Sequence, residues 1–332
     1  MEVRLLACES LGVRSLATVV RTKRSSYLLD PGVSLAPRRS SLPPHPIELA
    51  ASYIARKQIE EAARTVETVI LTHYHHDHFT PFEFRRDEWS DLPSALSLYR
   101  GKRLFGKAPD NTLNRNQRKR AATIFEKGFR LEAADGRSYA EVHFSPPVPH
   151  GEETTNRGCV IMVLFEEGEE RFAYGSDIQL LNDKAVEILL AWRPSLCVLS
   201  GPPLYLDVLS SKDKALAAER AVALAKTIPI LVIDHHLPRI PEHRSWLEKV
   251  AERTGNAEHS VLDGAGLLGK EPLCLESKRK ELFSRYPVKS FSYLKALEKK
   301  DRAVTASLIK LAEQLERSWS LEQIPLDLLP QA

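Results

Sequence analysis

Residues 66 to 83 read VETVILTHYHHDHFTPFE, an apolar, β-branched run that stops at Thr72 and turns at once into the pattern H-x-H-x-D-H, formed by His73, His75, Asp77 and His78. The run predicts a strand. Neutral imidazole and carboxylate are ligands for zinc and other borderline divalent metals, and a sharp turn at a strand end can point alternate side chains at two adjacent ions. This short segment can therefore seed a dinuclear centre; the competing reading is a solvated histidine-rich loop. Tyr74 and His76 read as spacers.

On the N-terminal side, ELAASYIARKQIEEAARTV (48–66) carries Ala, Ile and Leu at helical spacing, so a helix feeds the strand. A Pro-rich connector, SLAPRRSSLPPHPIE, precedes it, and VRLLA, SLATVV and SYLLD near the start predict short antiparallel strands. Downstream, YAEVHFS, GCVIMVLFEE and RFAYGSD predict three strands, with PPVPHGEETTNR looping between the first two and Glu-Gly-Glu turning the second hairpin. Then come a helix (DKAVEILLAW), a buried strand (SLCVLS), a second helix (SSKDKALAAERAVALAK) and a strand (PILVID) that ends in two histidines. Strands followed by helices predict a layered α/β protein.

At 332 residues the chain has room for about two domains or two fused halves. Hydrophobic residues at 43% and charged residues at 27% exclude disordered and collagen-like classes. The formal charge of +3 is too small to imply a polyanion partner. Cys8, Cys159, Cys197 and Cys274 never form a Cys-x-x-Cys pair, which argues against a sulfur-ligated metal or a disulfide framework and for a reducing compartment. Glu2, Arg4 and Glu9 interrupt any secretory signal, and no apolar stretch approaches the length of a membrane span, so a cytoplasmic protein without membrane partners is expected.

Further ligand candidates stand at similar places. A Pro-rich loop delivers His150 just before a strand. Asp177 ends RFAYGSD, where a carboxylate could bridge two cations or cap the helix that follows. His235 and His236 end PILVID, and one of them should complete the second metal's shell. Asp30, ending SYLLD, reads either as an acceptor behind a ligating histidine or as a turn former ahead of Pro31 and Gly32.

With these segments in place the chain resembles the metallo-β-lactamase superfamily. LLDPG, LTHYHHDH, PHGEETTNRG, YGSD and the histidine after PILVID match its five motifs in order, over about residues 1 to 240. The resemblance implies an αββα four-layer sandwich, assigned here to residues 1–276, while the helical spacing of Val304, Leu308, Leu311 and Leu315 predicts residues 277–332 to be a helical C-terminal extension packed on it. It also implies His73, His75 and His150 on one metal, Asp77, His78 and His235 or His236 on the other, and Asp177 between them. ESLGVRSLATVV, LLDPGVSLAPRRSSLPPHPIE and DHHLPR further resemble an archaeal group of predicted hydrolases, a likeness that brings no substrate. Only 58 positions separate Asp177 from His235, which leaves no room for the domain inserted there in β-CASP nucleases.

The expected activity is metal-dependent hydrolysis at a dinuclear centre, zinc first with manganese or iron as alternatives, using a bridging hydroxide as nucleophile, with Asp77 orienting it or relaying its proton. With Asp77, Asp177 and the hydroxide as its only anions the centre stays net positive, so a small anionic or polar substrate is expected, phosphoesters ahead of lactones and thioesters. Ten cations between Arg100 and Arg130 either grip phosphates or form a solvated helical face. One alternative is an iron-containing oxidoreductase on the same ligands. Another is a nucleic-acid binding protein with a structural metal, using the 100–130 and 278–302 basic stretches, with Phe283, Tyr286, Phe291 and Tyr293 stacking bases or merely packing.

Overall fold

A computed structural model describes residues 1–153 and 156–330. Thr154 and Thr155, inside the PHGEETTNRG motif, lie outside the described residues. The first half runs β1 (Glu2–Leu5), β2 (Thr18–Arg21), β3 (Ser26–Leu29), α1 (Pro46–Ala63), β4 (Thr68–Leu71), α2 (Leu92–Tyr99), β5 (Arg103–Gly106), α3 (Arg115–Glu126) and β6 (Leu131–Ala133). These six strands form one sheet in sequence order, antiparallel from β1 to β3 and parallel from β3 to β6. The second half runs β7 (Ser138–Tyr139), β8 (Val142–Phe144), β9 (Val148–Pro149), β10 (Cys159–Val160), β11 (Val163–Glu167), β12 (Glu170–Ser176), α4 (Asp183–Trp192), β13 (Leu196–Leu199), α5 (Ser211–Ala225), β14 (Ile230–Ile233), α6 (His243–Glu252), β15 (Ser260–Leu262) and α7 (Gly264–Leu267). Its sheet has the order β15-β14-β13-β12-β11-β8-β7, parallel from β12 to β15. Helices α8 (Arg279–Arg285), α9 (Ser292–Glu298) and α10 (Arg302–Ser318) follow.

Strands buried on both faces read as continuous apolar runs, and here both faces are used. Ile70 of β4 and Val198 of β13 belong to a core between the sheets, shared by Tyr27, Leu29, Phe165 and Val232. Val69 and Leu71 face outward into a core with α1, α2 and α10, while Cys197 and Leu199 face a third core with α4, α5 and α6. Three cores separated by two sheets make the four layers of an αββα sandwich. Val304, Leu308, Leu311 and Leu315 of α10 are buried in the same core as α1.

The segment GCVIMVLFEE differs from the single strand its composition predicts. Cys159 and Val160 pair with Pro149 and Val148 in a separate two-stranded ribbon, and β11 starts only at Val163. Between them the Ile161 amide donates to the Thr72 carbonyl in the first sheet at 3.1 Å. That tertiary bond draws the ribbon, with His150 at its end, toward the turn after β4.

Candidate metal centre

Asp30 follows β3, His73 to His78 follow β4, Asp177 follows β12, and His235 and His236 follow β14, all at the carboxyl ends of strands in the parallel parts of the two sheets. Open α/β sheets place their sites at that edge. Asp30, Ser176 and His235 adopt left-handed backbone with φ of 45°, 56° and 62°. Such residues cost of order 1–3 kcal/mol each and persist where the surroundings hold them. Gly32 meets a different demand: a Cβ there would stand 2.4 Å from the backbone nitrogens of His78 and Phe79, so only glycine lets the LLDPG turn approach the histidine turn.

His73, His75, His150 and Asp177 each bring a ligand atom within 4.8 Å of the others, as do Asp77, His78 and His235. Asp177 Oδ2 lies between the two groups: it contacts His150 Nε2 and sits 3.8 Å from His73 Nε2, 3.8 Å from His78 Nε2 and 3.9 Å from His235 Nε2. The doubled histidine separates in space. His235 Nε2 is 3.3 Å from Asp77 Oδ2 and 3.4 Å from His78 Nε2, whereas His236 Nε2 is 2.8 Å from Asp177 Oδ1, the two histidines and Asp177 forming a further group with ligand atoms within 4.8 Å of one another.

A ring of hydrogen bonds orients these groups. Asp30 Oδ1 accepts from the Thr72 amide at 2.7 Å, and Oδ2 accepts from Thr72 Oγ1 at 2.5 Å and from the Tyr174 hydroxyl at 3.0 Å. The same Oδ2 is 2.9 Å from His78 Nδ1, which turns His78 Nε2 inward. His235 Nδ1 lies 3.1 Å from the Ser15 carbonyl, again leaving Nε2 inward. Gln117, on α3, holds His75: its Nε2 is 3.2 Å from His75 Nε2, which leaves Nδ1 facing His73 Nε2 at 3.2 Å.

Burial, and then the neighbouring His78 and His75, hold His73 well below the usual imidazole range. Burial and His150 bring His75 down to about 3. Burial and Arg239 lower His235, and burial holds His236 far down. Burial works against the Asp177 and Asp77 charges, but His150 and His236 beside the one and His235 beside the other keep both carboxylates well below their ordinary range. For His78 burial opposes protonation, yet the Asp30 carboxylate bonded to it pushes it up to about 9. Ionised carboxylates stand among imidazoles that, His78 apart, resist protonation, and inward nitrogens 3.2 and 3.4 Å apart in two pairs bring donor atoms together in one pocket. This donor set fits divalent cations of the zinc type.

Sequence spacing did not disclose Gln117, Tyr174, Gln179 or Arg239. Gln179 Nε2 lies 3.2 Å from His236 Nε2, and the buried Arg239, paired with Glu9 at 2.8 Å, places Nη1 3.0 Å from His236 Nδ1. Gln117 comes from a helix, Tyr174 from strand β12, and Gln179 and Arg239 from the segments after β12 and β14, none with a ligand-like signature; the Arg in DHHLPR is the nearest thing to a signal. Of the ten cations between residues 100 and 130, Arg120 alone lines the cleft over Asp77. Lys107 is buried against Asp135, and Arg103 pairs with Glu132 on the surface. In the second basic stretch Tyr286 and Tyr293 are buried, Phe283 packs on His45, and only Phe291 is well exposed. No helix among the described residues is long and apolar enough to cross a membrane.

Residues 11–80 match the metallo-beta-lactamase superfamily profile. A UPF0282 protein of Methanosarcina mazei is 39% identical over 289 residues, covering 87% of this chain and 93% of that one. A UPF0282 protein of Pyrococcus horikoshii is 37% identical over 291 residues, covering 85% and 92%. Among solved structures, an isothiocyanate hydrolase from Delia radicum gut bacteria aligns with 18% identity and a TM-score of 0.44 over 76% of this chain and 94% of that chain. The chain belongs to the UPF0282 family, within the metallo-β-lactamase superfamily.

Proposed function

We propose that the protein is a metal-dependent hydrolase with a dinuclear centre, zinc being the metal its donors suit best, acting on small anionic or polar substrates, with phosphoesters ahead of lactones and thioesters. The observation that carries this reading is the position of Asp177 Oδ2, in contact with His150 and nearly equidistant from His73, His78 and His235. His73, His75 and His150 would hold one ion, Asp77, His78 and His235 the other, with Asp177 shared and Asp30 aligning His78 from behind. When bound, a pair of divalent cations supplies an acidified water as nucleophile and polarises the attacked oxygen.

The chain's own residues do the rest. His75 and Asp77 are the partly exposed members of an otherwise buried cluster, so substrate enters on their side. Asp77 stays ionised there and can orient an attacking water and accept its proton. The walls of the buried cluster exclude bulk water, which strengthens every charge interaction inside.

The test is metal quantification of protein produced with iron and zinc both available, coupled to a screen of phosphodiesters, phosphomonoesters, lactones and thioesters. About two equivalents of zinc and turnover of a phosphoester are expected. Asp77→Asn should lose at least about a hundredfold in kcat. Iron with redox activity and no hydrolysis would move the assignment to an oxidoreductase, and folded protein with no metal would end it.

A further inference from the structure

The cleft above Asp77 and His75 encloses 500 Å³ and is walled by four arginines. Three are neutralised. Arg14 donates to Glu276 through Nε and Nη2 at 2.6 and 2.8 Å, Arg85 pairs with Glu88 at 2.6 Å, and Arg86 pairs with Asp87 and Glu298 at 2.6 and 2.8 Å. Arg120 differs. Among the described residues no carboxylate lies within ion-pair distance of it, and its one hydrogen bond runs from Nη1 to the Tyr74 carbonyl at 2.9 Å, against the turn that carries Asp77. A half-buried guanidinium remains charged, and leaving it without a counterion is costly unless an anion arrives from solution. Of the acids whose charge acts on Arg120, Glu88 and Glu83 pair with Arg85, and Asp77 is committed to the metal centre in the reading above.

Phe84 and Arg86 line both this cleft and a second cavity of 380 Å³. The far walls of that cavity are Trp89 and, from α9 and α10, Leu297 and Ile309. Phe84, 41% exposed, stands on the boundary between the two. A polar chamber with one cation lacking an ion-pair partner thus adjoins an apolar one lined in part by the C-terminal helices.

We infer that the substrate is a phosphoester with an apolar substituent. Its phosphoryl oxygens are gripped by Arg120 beside Asp77, and its chain or ring runs past Phe84 into the cavity under α9 and α10. The inference rests on the hydrolase reading for the reaction, but its binding geometry stands on Arg120 and the paired cavities.

The test is calorimetric titration of inorganic phosphate, butyl phosphate and octyl phosphate into the purified full-length protein, with its metal content measured. Affinity should rise along the series by up to about fourfold per methylene that reaches the apolar cavity. Arg120→Met should weaken all three ligands by about ten- to a hundredfold with metal content and melting temperature unchanged, and Arg120→Lys should recover part of the loss. Phe84→Ser, at an exposed position, should leave inorganic phosphate binding intact and flatten the gain with chain length; Ile309→Glu should do the same from the opposite wall. Arg120→Met protein that binds all three like wild type would overturn the anion anchor. A wild-type series that is flat would overturn the apolar part. Protein without metal in which Arg120→Met still weakens phosphate would remove the hydrolase reading and keep this one.

Discussion

At the scale of single residues, the doubled histidine after β14 shows how one dipeptide can carry two different jobs. The left-handed backbone of His235 turns its ring toward Asp77 and His78, while His236 points across Asp177 to Gln179, Tyr205 and Arg239. The proposed ligand is therefore His235. His235→Ala should reduce bound metal from about two equivalents to about one. His236→Ala should retain both and lose rate through a less constrained Asp177, by roughly tenfold to a hundredfold as for other residues behind a metal shell. Elemental analysis of the two variants decides it; equal metal loss in both, or loss only in His236→Ala, would reverse the assignment.

At the scale of elements, α1 is anchored by buried polar chemistry at its N-terminus. His45 caps it, with Nδ1 accepting from the Ile47 amide at 3.2 Å and Nε2 donating to the Tyr286 carbonyl at 2.8 Å, so only neutral imidazole satisfies both. Burial brings its pKa down to about 4. Because the folded value lies below the ordinary one near 6.5, the stabilisation is complete above about pH 6.5 and is lost as pH falls toward 4. The stability advantage of wild type over His45→Asn, which keeps a capping acceptor, should shrink by about 2 kcal/mol between pH 7 and pH 5 in urea titrations; a pH-independent difference would show that His45 does not titrate in this window. One turn on, Glu48 and Arg279 form a bidentate pair at 2.7 and 2.8 Å, fully buried, that fastens α8 to α1. Arg279→Met strands a buried carboxylate and should cost about 3–5 kcal/mol. Adding Glu48→Gln should return part of that cost, and a double variant no more stable than the single would place the loss in packing instead.

At the scale of the whole molecule, the four layers bring the two halves of the centre together, since Asp30 and the histidine turn belong to one sheet and Asp177 and His235 to the other. The division of the chain at residue 277 into a domain and an extension is a proposal about sequence units, and the packing gives it a consequence. Val304, Leu308, Leu311 and Leu315 are at most 5% exposed and complete the core over α1. Burying a side chain of this kind stabilises by about 1.5–3 kcal/mol, so four of them rival the 5–15 kcal/mol that holds a typical domain. A chain ending at Glu276 should fail to fold as a soluble monomer, judged by circular dichroism and gel filtration. A cooperative transition at the full-length melting temperature would show that the extension is dispensable.

The sequence by itself determined the parts whose signal is local. Apolar runs ending in His or Asp marked the strands and their carboxyl ends, because a strand buried on both faces must be apolar until it leaves the sheet, and the 3.6-residue spacing of Leu308, Leu311 and Leu315 marked α10. Tertiary structure decided what depends on neighbours far along the chain: that the Ile161 amide leaves its own sheet for Thr72, that His235 rather than His236 faces Asp77, that Gln117 and Tyr174 stand behind the centre, and that Arg120 alone among the ten cations of residues 100–130 reaches the cleft. Orientation about a turn and the pairing of charges are settled by contacts between segments far apart in the chain, and no local spacing rule carries that information.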